Sequence, residues 1–252
     1  MTVRISDDVA VVSIMFVNNE IGTIQQIEHI TPLIARSGAF FHTDATQAPT
    51  AVPLDMLKLG VDAASFSSHK IYGPKGVGAL YLSTTAPWRP EALMFGGGQE
   101  EGLRPGTVPT HLCIAFAAAF ALIAEDGENE RAQLGAIRDD FARGLIKQIP
   151  GCKLTTNMSH HHPGNLHLSF EGVDAGDLLD RLQPNVAAAR GSACTSGEAD
   201  FSHVLKAIGK SREEARECIR FSLGRFTSSD QIDKALLLIK NSVDQIRRYQ
   251  KY

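Results

Sequence analysis

The pattern of apolar and polar positions changes rhythm once along the chain, and the change predicts two kinds of architecture. Residues 9–17 (VAVVSIMFV) are almost uninterruptedly apolar, which predicts a strand buried on both faces. Asn18, Asn19, Glu20 and Gly22 end it. The pattern then predicts a helix over 24–36, a strand over 39–43, a short helix over 53–60, and strands over 63–67 and 77–82. Strands alternating with helices argue for βαβ units and a mostly parallel sheet. Thr110 is placed to cap a helix reaching about Glu125. A second helix over 128–149 carries Leu134, Ile137, Phe141, Leu145 and Ile149 along one face. After Pro150 and Gly151 the elements shorten. Strands are expected over 153–155, 165–170 and 218–223, with short helices over 177–182, 203–208 and 212–217. The last helix starts at a capping box, Ser228 to Gln231, and turns Ile232, Leu236, Ile239, Val243 and Ile246 inward. The division is therefore an α/β unit over residues 1–125 and a smaller α+β unit over 126–252.

Composition narrows the functional classes. The 252 residues are 43% apolar and 21% charged with a net charge of −3, as expected of a soluble globular protein with no polyanion to bind. Direct nucleic-acid binding is not expected. The apolar run Ile114–Ala124 is too short for a membrane span, and the N-terminus has the form of neither a signal nor a transit peptide. Four cysteines (Cys113, Cys152, Cys194, Cys218) lack metal-ligand spacing and disulfide-scaffold density, which points to reduced thiols and a cytoplasmic protein. Adjacent histidines on a strand face opposite ways, so His160, His161 and His162 with His167 do not converge on one metal ion. They are expected in a solvated loop, and no metal site is expected.

The chemistry concentrates at residues 65–78, SFSSHKIYGPKGVG. A strand stops at Ser67, and His69 and Lys70 leave the sheet where open α/β folds place their ligands. Lys70 is either a surface lysine in a polar turn or an amine that attacks an aldehyde to form a Schiff base. Asp44, just past another strand end, is either a cap for the next turn or the partner of a protonated ring nitrogen such as that of pyridoxal phosphate. Ser67 and His69 flank Lys70 at a spacing that suits phosphate ligands, and Thr107 offers a further hydroxyl in a glycine-rich loop. Cys194, in GSACTSG, has no apolar anchor; it is either an incidental surface thiol or a nucleophile beside Arg190. Arg220, between apolar neighbours, needs an anion: an internal carboxylate or that of a substrate.

Taken together, the stretches VSIMFVNNEIG, HTDATQ, SFSSHKIYGPKGVGALY, GGGQEEGLRPGT, RGSACTSG and IRFSLGRFT resemble a cysteine desulfurase of the NifS/IscS type. The resemblance runs in order from about Val9 to the last helix. It implies an α/β, fold-type I pyridoxal phosphate enzyme, a partial large domain followed by the small α+β domain. Lys70 would hold pyridoxal phosphate and move the substrate α-proton. Asp44 would pair with the ring nitrogen and Gln47 with the ring oxygen. Ser67 and His69 would bind the phosphate, with Thr107 reaching across from the other subunit of a homodimer. Asn19 and Arg220 would hold the carboxylate of L-cysteine. Cys194 would take the sulfur as a persulfide, leaving L-alanine, and pass it to an acceptor protein for iron–sulfur cluster assembly or for tRNA or DNA thiolation. A selenocysteine lyase-like activity and a split or non-catalytic homologue with a partner-binding role are the alternatives.

Phe16, Ser68 and Pro105 stand where such enzymes commonly have histidine, glycine and serine. Family members also carry roughly another third of a chain before Val9, with a phosphate-binding loop and a ring-stacking histidine. An uncovered sheet edge or apolar face is therefore expected here.

Overall fold

A computed structural model of the chain describes residues 5–6, 8–191 and 202–250. The elements in order are β1 (Val11–Met15), α1 (Ile27–Ala35), β2 (Phe40–Asp44), α2 (Met56–Leu59), β3 (Ala63–Ser67), β4 (Gly78–Leu82), α3 (Thr110–Gln148), β5 (Cys152–Leu154), β6 (Asn165–Phe170), α4 (Ala175–Leu182), α5 (His203–Ala207), α6 (Arg212–Arg216), β7 (Cys218–Ser222) and α7 (Ser229–Tyr249). They fall into two compact units. One comprises residues 1–17 and 25–127, the other residues 18–24 and 128–252. Residues 18–24, kept in the first unit by the sequence pattern, thus cluster with the second.

The first unit is a four-stranded sheet in the order β1-β2-β3-β4. β1, β2 and β3 run parallel, and β4 pairs antiparallel with β3. The mostly parallel α/β sheet expected from the alternating pattern is therefore present. Register places Met15 beside Asp44 and Asp44 beside Ser65, so the carboxyl ends of the three parallel strands share one end of the sheet. α1 lies against β2 and α2, burying Ile27 and Ile34. α2 begins at Asp55, whose side chain accepts from the N–H groups of Leu57 and Lys58, and ends at left-handed Gly60.

Burial of β1 departs from the two-sided burial that its apolar run predicts, and accords with the uncovered apolar face expected from the resemblance. Val11 and Met15 are 47% and 37% exposed, so this edge strand is covered on one face rather than two. Across the same face, Leu80 of β4 is also exposed. A continuous apolar run says that both faces suit burial; it does not say what lies over them.

α3 is a second correction. Two helices were expected, with a break near Gly127, but the helix runs unbroken from Thr110 to Gln148. One interior glycine costs only about 1 kcal/mol relative to alanine, and periodic apolar positions on both sides outweigh it. One window of 18 residues within α3 has a mean hydropathy of 1.3, enough by length and composition to cross a membrane, and only 17% of it is buried. The run Ile114–Ala124 understated this stretch; a single such helix remains weak evidence for a span.

The second unit is an antiparallel sheet, β5-β6-β7, packed against α4, α7 and the later turns of α3. Central β6 is buried on both faces, Asn165 and His167 included, where its alternating sequence suggested one. Leu166, Leu168 and Phe170 are fully buried in the main core with Phe141, Phe221 and Ile239. α7 begins at the expected capping box, Ser228 and Gln231 each bonding the other's backbone N–H. The histidine run is not a solvated loop. His161 is 7% exposed, and the chain at 160–162 pairs with 22–24 through Ile24 N–H to the His160 carbonyl and His162 N–H to the Gly22 carbonyl. Gly22, at φ +72°, leaves no room for a side chain: a Cβ would stand 2.7 Å from His161 Nε2.

Candidate active site

In the first unit the β3 strand ends where the sequence stops favouring one. Ser67 is its last residue, and Ser68–Lys70 form a single 3-10 turn. The Ser67 hydroxyl and His69 Nδ1 are hydrogen-bonded at 2.9 Å, so the two groups on either side of the turn converge. His69 and Lys70 are exposed and Ser67 is half-buried. What holds the turn is its next residue. Ile71 is 1% exposed, in a cluster with Phe116 and Ala119 of α3, and Phe66, Val77 and Phe120 pack against it. Ser68 is sealed beneath, its carbonyl accepting from the N–H groups of Ile71 and Gly73. A Cβ on Gly73 would meet the Ser68 hydroxyl and stand 3.1 Å from that carbonyl. Lys70 is thus an exposed amine on a turn anchored by Ile71.

That anchoring predicts a separable effect. Ile71→Ala should lower unfolding stability by about 2–5 kcal/mol, as for other large-to-small core changes. Leu57→Ala, at a side chain 88% exposed, should be near neutral. Urea unfolding followed by circular dichroism reads both.

Asp44 ends β2 and is exposed. Its Oδ1 accepts from Thr46 N–H at 2.9 Å, so the turn-capping reading holds. Half-buried Gln47 lies in the turn that follows, and exposed Thr107 in the irregular chain before α3. A row not foreseen from sequence crosses the same three strands. Ser13 Oγ bonds His42 Nδ1 at 2.8 Å, and His42 Nε2 bonds Ser65 Oγ at 3.2 Å, fixing the ring by both nitrogens. Alternation alone could have found it, since Ser13, His42 and Ser65 share one face.

In the second unit the turn 18–22 is organised by Asn18, whose side-chain oxygen accepts from Glu20 N–H and Ile21 N–H, both at 2.9 Å. Asn19 is half-buried in that turn, and Arg220 Nη1 donates to its carbonyl at 2.9 Å. Asn19 and Arg220 are therefore brought together, through the backbone carbonyl of Asn19. Arg220 stands opposite His167 in the β6/β7 register. His167 is 1% exposed, with Nδ1 bonded to the Thr155 hydroxyl at 2.9 Å. Burial, and then the Arg220 charge, push its pKa down to about 4.

Cys194 lies outside the described residues. The thiols that are described are all free. Burial raises Cys152 to about 12 and Cys218 to about 11, so both stay protonated and inert.

Residues 1–235 match the aminotransferase class-V family. The chain belongs to that family. Among its relatives, a protein named cysteine desulfurase IscS from Ruthia magnifica subsp. Calyptogena magnifica is 43% identical over 243 residues, covering 96% of this chain and 60% of that protein. A solved NifS-like protein superposes with a TM-score of 0.84 at 32% identity, covering 94% of this chain and 62% of the other. The structure described as SspA in complex with cysteine matches with a TM-score of 0.69 at 32% identity, covering 86% of this chain and 60% of that one. The chain thus spans about 60% of the length of the curated relatives it matches, and its α/β fold is that of the NifS-like proteins.

Proposed function

We propose that this chain is a pyridoxal-phosphate-dependent cysteine desulfurase, or the part of one that carries its lysine and its sulfur-accepting thiol. The observation that carries the reading is the turn at the end of β3. Ser67 and His69 converge there beside an exposed Lys70, and Asp44 ends the neighbouring parallel strand. The donor set fits the cofactor. An amine suits its aldehyde, a carboxylate suits its protonated ring nitrogen, and a hydroxyl–imidazole pair suits its phosphate oxygens.

Bound there, pyridoxal phosphate supplies an electron sink for the substrate Cα. The residues of the chain do the rest. Lys70 holds the cofactor and moves the α-proton. Asp44 holds the ring nitrogen protonated, Gln47 bonds the ring oxygen, and Ser67, His69 and a Thr107 from a second subunit hold the phosphate. Arg220 and Asn19 orient the carboxylate of L-cysteine, in keeping with the solved SspA structure, which is in complex with cysteine. The Cys194 thiolate attacks the substrate sulfur. One S–S bond forms and the substrate Cβ–S bond breaks, its electron pair staying with the carbon, which takes up a proton to become the methyl group of L-alanine. The sulfur then passes from Cys194 to an acceptor protein. A homodimer in a reducing, cytoplasmic compartment is part of the same proposal.

The test is L-alanine release from L-cysteine by the chain supplied with pyridoxal phosphate. Cys194→Ala should reduce it by roughly a hundredfold or more, as loss of a covalent nucleophile does. Equal rates for wild type and Cys194→Ala would remove the thiol from the reaction.

A further inference from the structure

The second unit holds a buried amide that the mechanism leaves unused. Asn165 opens β6 on the polar face of its alternating pattern, where solvent is expected, yet it is only 7% exposed. The Asn18–Gly22 turn lies against it. A buried amide is costly unless it is hydrogen-bonded, so the position requires a partner.

The partner is the backbone of the turn. Asn165 Nδ2 donates to the Glu20 carbonyl at 3.1 Å. The carbonyls on either side are held in the same way. Arg220 Nη1 donates to that of Asn19 at 2.9 Å, Thr156 Oγ1 to that of Ile21 at 3.3 Å, and His162 N–H to that of Gly22 at 2.8 Å. Four consecutive carbonyls are thus tied to the body of the unit, three of them by side chains. From within the turn, Asn18 Oδ1 accepts from Glu20 and Ile21 N–H. The Glu20 side chain is buried as well, its Oε2 accepting from the Ser202 hydroxyl at 2.9 Å. Gly22 permits the close approach, since a Cβ there would stand 2.9 Å from Asn165 Cγ.

The order of these bonds matters. The Glu20 and Asn19 carbonyls belong to adjacent planar peptide units, so holding one restricts the other. The Asn19 carbonyl engages one donor of Arg220, and in a planar guanidinium one fixed donor constrains the plane of the rest. A carboxylate bound as a fork reads that plane.

We propose that Asn165, together with Thr156, is a positioning residue for the substrate carboxylate: it fixes the turn whose Asn19 carbonyl orients Arg220. The consequence for substrate rests on the desulfurase reading, which gives Arg220 and Asn19 that carboxylate. Asn165 touches neither substrate nor cofactor in this account; it acts through the turn and Arg220.

The test uses the full chain. Asn165→Asp keeps the shape of the side chain and replaces its donor with an acceptor. Backbone hydrogen exchange over residues 18–24 should then be about tenfold faster than in wild type, the size of one lost bond that leaves a buried group unpaired. Thr156→Val, isosteric at a half-buried site, should give about threefold and serves if Asn165→Asp does not fold. With pyridoxal phosphate supplied, the change in its visible absorbance reads the binding of L-cysteine and of cysteamine, which has the amine and the thiol but no carboxylate. Asn165→Asp should need about tenfold more L-cysteine for half-saturation, and the same cysteamine within about twofold. Ile239→Val, a fully buried core change of similar cost, should leave the ratio of the two concentrations unchanged. Exchange unchanged in both turn variants would overturn the inference. Faster exchange with no loss of L-cysteine binding, or with equal loss of both compounds, would also overturn it; the desulfurase reading would stand if Arg220→Lys weakens L-cysteine alone. Faster exchange with L-cysteine binding unaffected even in Arg220→Lys supports the hold on the turn and overturns the carboxylate site of that reading.

Discussion

Lys70→Ala is expected to abolish both the visible absorbance of protein-bound pyridoxal phosphate and the release of alanine from L-cysteine. The substitution removes an exposed amine from a turn whose hold on the core lies elsewhere, in Ile71. Stability should therefore change by less than about 0.5 kcal/mol, the usual size for a surface substitution. Activity should fall by at least about a thousandfold, because one side chain both holds the cofactor and moves the proton. Lys75→Ala, on a neighbouring lysine, is the control and should leave the absorbance unchanged. A Lys70→Ala protein that still shows the wild-type band would mean that the cofactor is held by another group.

Acid should destabilise the second unit through His167. The folded-state pKa of about 4 lies below the ordinary 6.5, so below pH 6.5 the unfolded chain takes up a proton that the folded chain refuses. The stabilisation is complete above pH 6.5 and is lost progressively as pH falls from there to about 4. The shift corresponds to about 3 kcal/mol in all, of which roughly 2 kcal/mol disappears between pH 7 and pH 5. The cause is geometric. A protonated ring would be cut off from water and would face the Arg220 guanidinium across the β6/β7 register. His162, pushed down to about 4 by burial and by the neighbouring His161 and Arg138, acts in the same direction. Urea unfolding at pH 7 and pH 5 measures the loss. His167→Asn should reduce it by about the histidine's share, and an unchanged pH dependence in the variant would place the titration elsewhere.

Features that depend on adjacent residues were legible in the sequence. The β3 strand ends at Ser67 because hydroxyls, a histidine and glycine-rich chain follow directly, and α7 starts at Ser228 because its capping box is contiguous. Lys70, Asp44, Ser67 and His69 were legible for the same reason: a strand that stops abruptly on polar residues delivers them to one end of a parallel sheet. Features that depend on distant partners were not. The apolar run of β1 did not show that Val11 is exposed, which only the expected uncovered face suggested, and the burial of His161 depends on pairing with residues 22–24. Glu20 is the sharpest case, since its partner Ser202 is remote in sequence and either residue alone reads as surface. At Gly127 the error was one of weight, a single breaker set against a long periodic helix.

The central claim is tested most directly by the mass of the peptide that carries Cys194. The chain, supplied with pyridoxal phosphate, is exposed to L-cysteine, alkylated and digested. The account predicts that this peptide gains one sulfur atom, that the gain disappears on treatment with a thiol reductant, and that the Lys70→Ala protein never acquires it. Alanine formed with no added sulfur on Cys194, or sulfur added equally in Lys70→Ala, would contradict it.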